Sequence, residues 1–210
     1  MANQGTVNSQ RQGGLSTNTP ADERLDQSAA LVTTDGHARY QEALYTGNVY
    51  LAANQALVTV TGLATTVTGW CLTNPVNSGK NLVLMDFCLG VGGAPAGGYE
   101  LGLAYNASAT AVTQTVALVV RNALLPGVNA QTPTTATGQG LVANSATTPT
   151  AGVGVRILQA GGTSALTMQT VCDPIDGKLA IGPGSYIHLY FITTSVTTAM
   201  CSGCWEEVKI

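Results

Sequence analysis

Short runs of β-branched and aromatic residues, separated by turn residues, make up the chain from residue 44 onward. In GNVYLAANQALVTVTG, small, polar and apolar residues alternate with a period of two. That period is typical of a strand with one buried face, whereas the 3.6-residue period of an amphipathic helix is missing. The pattern predicts an all-β fold, a jelly-roll-like antiparallel β-sandwich. The predicted strands are 47–53, 56–62, 68–74, 80–91, 99–106, 115–125, 152–159, 165–172, 177–181, 185–194 and 204–210.

The predicted strand 80–91, KNLVLMDFCLGV, is apolar on both faces, which indicates a core strand covered on both sides. On a strict two-residue period, Leu82 and Leu84 share one face, and the other face carries Val83, Met85, Phe87 and Leu89.

Charged residues are concentrated at the start of the chain and divide it into two parts. Eight of them lie in the first 42 residues: Arg11, Asp22, Glu23, Arg24, Asp26, Asp35, Arg39 and Glu42. This shift in composition predicts a polar N-terminal arm, residues 1–40, followed by a β domain, residues 41–210. We expect the arm to become ordered on a partner, with TPADERLDQ opening a short helix.

Composition limits the possible partners. Only 9% of the residues are charged while 45% are hydrophobic, and the formal net charge is -3. Such a neutral surface suits contact with other protein better than free diffusion. The sequence has no basic stripe that would bind nucleic acid. No apolar run is long enough to span a membrane, and the first residues lack the features of a signal peptide. We therefore expect folding in a cytoplasm.

The five cysteines, an odd number, are expected to be reduced and mostly buried thiols. Cys201 and Cys204 form a C-x-x-C motif, which can bind a metal or cycle as a dithiol. Further ligands at a supporting spacing and a βαβ unit are both missing from the sequence. Free thiols or a local disulfide are therefore favoured over a metal site, and redox catalysis is the weakest alternative.

In SYIHLYF, residues 185–191, alternation places Tyr186, His188 and Tyr190 on one face of the strand. The other face is apolar and is expected to lie in the core. We predict that the first face is partly solvated and serves as a subunit contact or a ligand shelf. A Ser-His-Asp site would need His188 or His37, and no G-x-S-x-G motif accompanies either residue.

Other motifs favour structural roles. Asp86 is expected to bond to backbone or to pair with Lys80. NSGKN, residues 77–81, and GVGGAPAGG, residues 90–98, do not fit the spacing or context of phosphate-binding loops. The uncharged segment 126–152 is predicted to be a long loop, either a binding or inter-subunit loop or a solvated one.

Several parts of the chain together resemble small virion proteins of tailed bacteriophages. They are the polar arm, YTGNVYLAA, GWCLTNPVNSGKNLVLMDFCLGV, GPGSYIHLYFITTSV and the terminal CWEEVKI. The chain is similar to the trimeric jelly-roll decoration, or cement, proteins and head-fibre proteins of their capsids. This resemblance implies a homotrimer on the outer capsid surface that binds the major capsid protein.

On this interpretation, Asp22, Glu23, Arg24 and Asp26 supply charged contacts to the capsid or to a neighbouring trimer. An alternative is a fibre or receptor-binding head whose 126–152 loop contacts host glycans. An enzyme is the least supported class, because few charged residues lie in the β domain to form a catalytic site.

Overall fold

The computed structural model describes residues 40, 43–44, 47–92, 97–107, 110–124, 140–161, 170–193 and 197–210. The described residues of the compact unit Gly47–Ile210 form twelve strands. The strands are β1 Val49–Ala53, β2 Val58–Val60, β3 Thr66–Asn74, β4 Lys80–Val91, β5 Tyr99–Ala107, β6 Thr113–Ala117, β7 Arg121–Asn122, β8 Leu141–Thr147, β9 Val153–Gly161, β10 Thr170–Ile181, β11 Ser185–Thr193 and β12 Thr197–Lys209.

The strands form two antiparallel sheets packed face to face. The first has the order β10-β4-β12-β1-β7, with β2 also paired to β12, and the second has the order β6-β8-β3-β11-β5-β9. Eight strands, β1, β3, β4, β5, β9, β10, β11 and β12, follow the strand order of a jelly roll. One sheet contains β1, β12, β4 and β10 as neighbours, and the other contains β3, β11, β5 and β9. Numbered from one to eight along the chain, these strands have the orders 1-8-3-6 and 2-7-4-5, which are those of a jelly roll. The predicted fold class is confirmed.

Aromatic and aliphatic side chains from both sheets fill the space between them. Trp70 and Phe87 meet edge to face with ring centroids 4.9 Å apart, and Tyr99 stacks on Phe191 at 5.6 Å. All four belong to one buried cluster that includes strands of both sheets. This cluster is the hydrophobic core of the sandwich, and burial of its apolar surface is the main stabilising contribution.

A β-bulge in β4 changes which residues face the core. The register with β12 shifts between the pairs Trp205–Leu84 and Cys204–Asp86, so Met85 is the extra residue. Leu82 and Leu84 before the bulge, and Phe87, Leu89 and Val91 after it, are therefore all buried in the same core. The strict two-residue assignment of these residues to opposite faces was wrong for this reason.

Strand β10 has a second irregularity at Asp176 and Gly177, a residue pair that is typical of a turn. The strand continues through this pair. Asp176 and Gly177 have φ angles of 56° and 75°, and the pairing of β10 with β4 shifts between Pro174 and Leu179. The Asp-Gly pair therefore forms a bulge within one strand rather than a turn that ends it.

Part of the predicted loop 126–152 is a strand. Residues 141–147 form β8, which pairs with both β3 and β6. The prediction of an unstructured segment was wrong there, because Leu141–Thr147 contains small and polar residues instead of a clear apolar alternation. Residues 125–139 lie outside the described residues.

Residues 148–152, which we call the crossing segment, join β8 to β9. Because β3, β11 and β5 lie between those strands in the sheet, the segment passes over the outer face of the sheet. Thr148 anchors its start, since its N–H donates to the Thr65 carbonyl at 2.8 Å. Asn106 holds its end by donating from Nδ2 to the Ala151 carbonyl at 2.7 Å.

Candidate functional site

The structure brings Tyr186, His188 and Tyr190 to one face of β11, but all three are fully buried. This face lies outside the core and is covered by the crossing segment and by β9. The predicted partial solvation of these side chains was wrong. Alternation along a strand identifies the two faces, but it does not reveal that a distant segment of the chain covers one of them.

The crossing segment contacts these side chains closely. The Tyr186 hydroxyl donates to the Thr150 carbonyl and also lies 3.2 Å from the Thr150 hydroxyl. A Cβ atom placed on Gly152 would stand 2.3 Å from His188 Nε2, so only glycine fits at this position. The segment therefore lies directly on the Tyr186 and His188 rings, which stack with centroids 6.4 Å apart.

His188 has an apolar environment with one satisfied ring nitrogen. Nδ1 lies 3.0 Å from the Leu189 carbonyl, and Nε2 has no hydrogen-bond partner among the described residues. Burial lowers the pKa of the imidazole below its ordinary value, only partly opposed by the bond to Leu189. The hydrogen bonding and the lowered pKa both indicate a neutral histidine that is fixed by packing. No acidic side chain among the described residues bonds to the ring to orient it as a general base.

Tyr190 pairs with a carboxylate on the neighbouring strand. Its hydroxyl donates to Glu100 Oε1. Cβ atoms added to Gly102 and Gly154 would stand 2.7 Å and 3.1 Å from the same hydroxyl oxygen, so both glycines lie against Tyr190. Burial and the bond to Glu100 raise the pKa of the Tyr190 hydroxyl to about 12. Tyr190 therefore stays protonated and fixes β11 against β5 and β9.

Cys201 and Cys204 point to opposite sides of β12. Cys201 is buried in the core, with Sγ 3.8 Å from the Gly69 carbonyl, whereas Cys204 is half-buried and lies opposite Asp86 in the register. Burial raises the pKa of both thiols to about 12, and for Cys204 the charge of Asp86 contributes. Two thiols on opposite faces of a strand cannot share a metal or close a local disulfide.

Across the described residues as a whole, no group of three or more His, Cys, Asp or Glu side chains is placed to hold a metal. Both sulfurs of the C-x-x-C motif are free thiols, as is Cys71.

The expectation that all cysteines are reduced was wrong for two of them. Cys88 and Cys172 form a disulfide between β4 and β10, with Cα atoms 4.1 Å apart. The two residues are direct partners in the register of the sheet. Their separation of 84 residues along the chain gave no framework spacing that would reveal the pair.

Lys80 pairs with Glu207, and the predicted pairing with Asp86 was wrong. Lys80 Nζ donates to Glu207 Oε2 at 2.8 Å, and the Gly140 N–H donates to Oε1 at 2.9 Å. The side chain of Glu207 is fully buried, whereas Asp86 is exposed because the bulge turns it outward. Glu207 therefore fixes Gly140, the residue before β8, and Lys80, the first residue of β4, at the end of the core.

A cleft of about 330 Å³ opens at one end of the sandwich. Its wall contains Asn74 at the end of β3 and Val76 and Asn77 in the turn that follows. Thr110 before β6 and Leu141 at the start of β8 complete it. Every lining residue within the described part of the chain is uncharged. The cleft therefore presents amide and hydroxyl groups beside apolar side chains, an arrangement suited to a small neutral ligand. Sequence reasoning missed it, because four segments that are distant in the sequence form it.

Asp22, Glu23, Arg24 and Asp26 lie outside the described residues, so their assignment to partner binding stays a prediction.

No family model, no curated protein and no solved structure matches this chain. The resemblance to phage virion proteins therefore stays a prediction from the quoted sequence segments. Within the described part of the chain, no helix combines the length and hydrophobicity that a membrane-spanning helix requires.

Proposed function

We propose that the protein is a non-enzymatic structural protein of a virus particle. In this role it is a decoration protein on the outer surface of a tailed-phage head, where it binds the major capsid protein, forms homotrimers and stabilises the shell. The virion location and these partners come from the resemblance of the sequence segments. The jelly-roll strand order is compatible with the proposal, since viral capsid domains are among the proteins that use it.

The observation that carries the proposal is the nearly uncharged surface of the β-sandwich. Eleven charged residues are spread over Gly47–Ile210, and four of them neutralise each other in two pairs, Lys80–Glu207 and Arg156–Asp173. A neutral surface can be buried against another protein without leaving unpaired charges, each of which would cost several kcal/mol. Such a surface favours a protein that works in an assembly.

The side chains with catalytic potential support a structural role. His188 is packed under the crossing segment, Cys201 lies in the core, and Glu207 is bound by Lys80 and the Gly140 N–H. Each of them stabilises the sandwich, and none lines the end cleft.

The test is attachment to heads purified from particles of the encoding phage that lack this protein. We expect the full chain to bind these heads and to raise their melting temperature. A chain lacking residues 1–40 is expected to keep the circular dichroism spectrum of the β domain but lose attachment. A full chain that neither binds nor stabilises the heads would contradict the proposal, whereas attachment without the arm would refute only the arm as anchor.

The end cleft favours a second candidate, a receptor-binding head for neutral host glycans. Its uncharged lining fits a sugar, whose hydroxyl groups need amide and hydroxyl partners while its ring packs on apolar side chains. The measurement is adsorption of the protein to host cells, with Asn77→Ala as the variant. Adsorption that Asn77→Ala weakens would support this candidate, and adsorption equal to that of the wild type would count against it.

A further inference from the structure

The Cys88–Cys172 disulfide lies on the outer face of the first sheet. Leu89, the residue after Cys88, belongs to the core cluster, so Cys88 points away from the core. Cys172 is the direct partner of Cys88 on β10 and therefore points to the same side. Cys172 is exposed and Cys88 is half-buried, so dissolved reagents can reach the disulfide from this face.

A shallow groove of about 260 Å³ lies beside the disulfide on the same face. In the register of the sheet, Gly90 lies between Met200 on β12 and Thr170 on β10, and all three residues line the groove. A Cβ atom placed on Gly90 would meet no atom nearer than the Thr170 hydroxyl oxygen, at 4.0 Å. The absence of a side chain at Gly90 therefore leaves open space between two exposed side chains.

The groove is uncharged, and it presents one reactive group. Its other lining residues within the described part of the chain are Ala53, Asn54, Cys88, Leu89, Cys201 and Ser202. The Asn54 side chain is already engaged, since Nδ2 donates to the Ala199 carbonyl and Oδ1 accepts from the Cys201 N–H. The Cys201 thiol belongs to the core. The disulfide of Cys88 is therefore the group that can react covalently with a ligand in the groove.

The groove lies on the Cys88 side of the disulfide. Cys88 is among the lining residues, and Cys172 is not. Ser202, another lining residue, lies opposite Cys88 on β12, whereas Cys172 lies opposite Cys88 on β10. A ligand above Ser202 therefore approaches Cys88 from the side away from Cys172.

This direction of approach is the one that thiol–disulfide exchange requires. The attacking thiolate meets one sulfur in line with the bond that breaks, and the other sulfur leaves with the electron pair. With Cys88 as the attacked sulfur, Cys172 is the leaving group. Because Cys172 is exposed on the edge strand β10, water can solvate its thiolate as it forms.

The free thiol on the same face is a poor competitor for this reaction. Cys204 lies two residues from Ser202 on β12 and opposite Asp86 on β4. Burial and the charge of Asp86 raise the pKa of the Cys204 thiol to about 12, so it stays protonated near neutral pH. The thiolate, not the thiol, is the attacking species. The attacking thiol therefore has to come from outside the chain.

We propose that Cys88 is a thiolation site, at which a low-molecular-weight aliphatic thiol binds in the groove and exchanges with the disulfide. A bond forms between the thiol sulfur and Cys88 Sγ, and the Cys88–Cys172 bond breaks. The electron pair goes to Cys172 Sγ, which takes up a proton from water. One disulfide replaces another, so the step needs no oxidant or reductant beyond the thiol itself.

The exchange would release the edge of the first sheet. Among the described strands, β10 is the outermost of that sheet, and the disulfide is its covalent link to β4. After the exchange, β10 is held to β4 by hydrogen bonds and packing alone. The inference stands independently of the proposed role in a virion.

The first test identifies the attacked sulfur. The wild-type protein is incubated with reduced glutathione, free thiols are blocked with N-ethylmaleimide at successive times, and the modified peptides are identified by mass spectrometry. We expect the first product to carry glutathione on Cys88 and maleimide on Cys172. Glutathione on Cys172 with maleimide on Cys88, or reduction without any mixed disulfide at Cys88, would overturn the proposal.

The second test fills the groove and leaves the disulfide in place. Gly90→Val puts a side chain into the open space, and we expect it to slow the exchange with glutathione by roughly tenfold, because access to the attacked sulfur limits the rate. The matched control is Ala180→Val, since Ala180 is exposed on β10, pairs with Val83 and does not line the groove. The control is expected to react at the wild-type rate.

Circular dichroism of both variants checks that the sandwich is intact. Equal exchange rates for Gly90→Val and Ala180→Val would overturn the role of the groove. If Gly90→Val does not fold, Ser202→Leu replaces it, because Ser202 lines the groove opposite Cys88. An exchange rate that Ser202→Leu leaves at the wild-type value would overturn the proposal in the same way.

Discussion

His188 packs beneath Gly152 and contributes to the fold as an uncharged side chain. The imidazole lies 3.0 Å from the Leu189 carbonyl through Nδ1, stacks on Tyr186, and leaves no room for a side chain at Gly152. Its position makes folding sensitive to protonation. A charged imidazole would have to be buried in an apolar environment without a counter-charge.

We expect stability to fall as the solution becomes acidic. Burial lowers the pKa of His188 below its ordinary value of 6.5, so below about pH 6.5 the unfolded chain takes up a proton that the folded chain does not. The free energy of unfolding should then decrease by up to about 1.4 kcal/mol per pH unit until the folded imidazole also titrates.

Urea unfolding between pH 7.5 and pH 5 measures this slope. His188→Asn, whose amide can still bond to the Leu189 carbonyl, should reduce it. A slope that His188→Asn leaves unchanged would show that other groups cause it.

Adding one methyl group to the crossing segment should be costly. In Gly152→Ala the new Cβ would stand 2.3 Å from His188 Nε2, whereas in Gly90→Ala the nearest atom is 4.0 Å away. We expect Gly152→Ala to lower the free energy of unfolding by about 1–3 kcal/mol through overpacking. Thermal unfolding should place Gly90→Ala close to the wild type, and equal melting temperatures for both variants would contradict the described contact.

Two adjacent glutamates offer a matched comparison. Glu207 is fully buried between Lys80 and the Gly140 N–H, while Glu206 next to it is partly exposed. Glu207→Ala removes a buried partner of a cation and should cost about 3–5 kcal/mol, whereas Glu206→Ala should cost less than about 1 kcal/mol. Denaturant titration of both variants checks this difference, and similar losses would refute the structural role of Glu207.

At the level of the strands, the disulfide between β4 and β10 fixes the edge of the first sheet. Cys88→Ser together with Cys172→Ser should lower the free energy of unfolding by about 2–4 kcal/mol, mainly because the unfolded chain is no longer cross-linked. Reductant should destabilise the wild type similarly but should not affect the double variant. Cys204→Ser is the control, since Cys204 is a free thiol. Identical unfolding curves with and without reductant would contradict a native disulfide.

Strands with a regular alternation could be predicted from the sequence, and irregular ones could not. Strand β4 was predicted with its observed bounds, and β11 to within one residue, because β-branched and aromatic residues are dense there. Strand β8 was missed because LVANSAT contains mostly small and polar residues. The bulge at Met85 was missed because pairing with another strand creates it.

Side-chain roles at the candidate site were harder to predict than strands. Alternation correctly placed Tyr186, His188 and Tyr190 on one face, but their burial depends on a segment 36 residues earlier in the chain. The Glu207–Lys80 pair and the end cleft likewise join residues from distant segments. Local sequence carries no record of such contacts.

For the molecule as a whole, the low charge and the jelly-roll sandwich together favour contact with other proteins. The sandwich covers Tyr186, His188 and Tyr190 with its own chain, and it leaves exposed apolar side chains on β9 and an uncharged cleft at one end. A freely diffusing protein with net charge near zero has little electrostatic protection against association. The central claim of this account is therefore that the protein acts as part of an assembly.

The most direct test is the mass of the full chain in solution, measured by light scattering over a wide concentration range. We predict a mass of three times 21.4 kDa, that of the proposed trimer. A protein that stays at 21.4 kDa up to the highest concentration would contradict the proposed trimer.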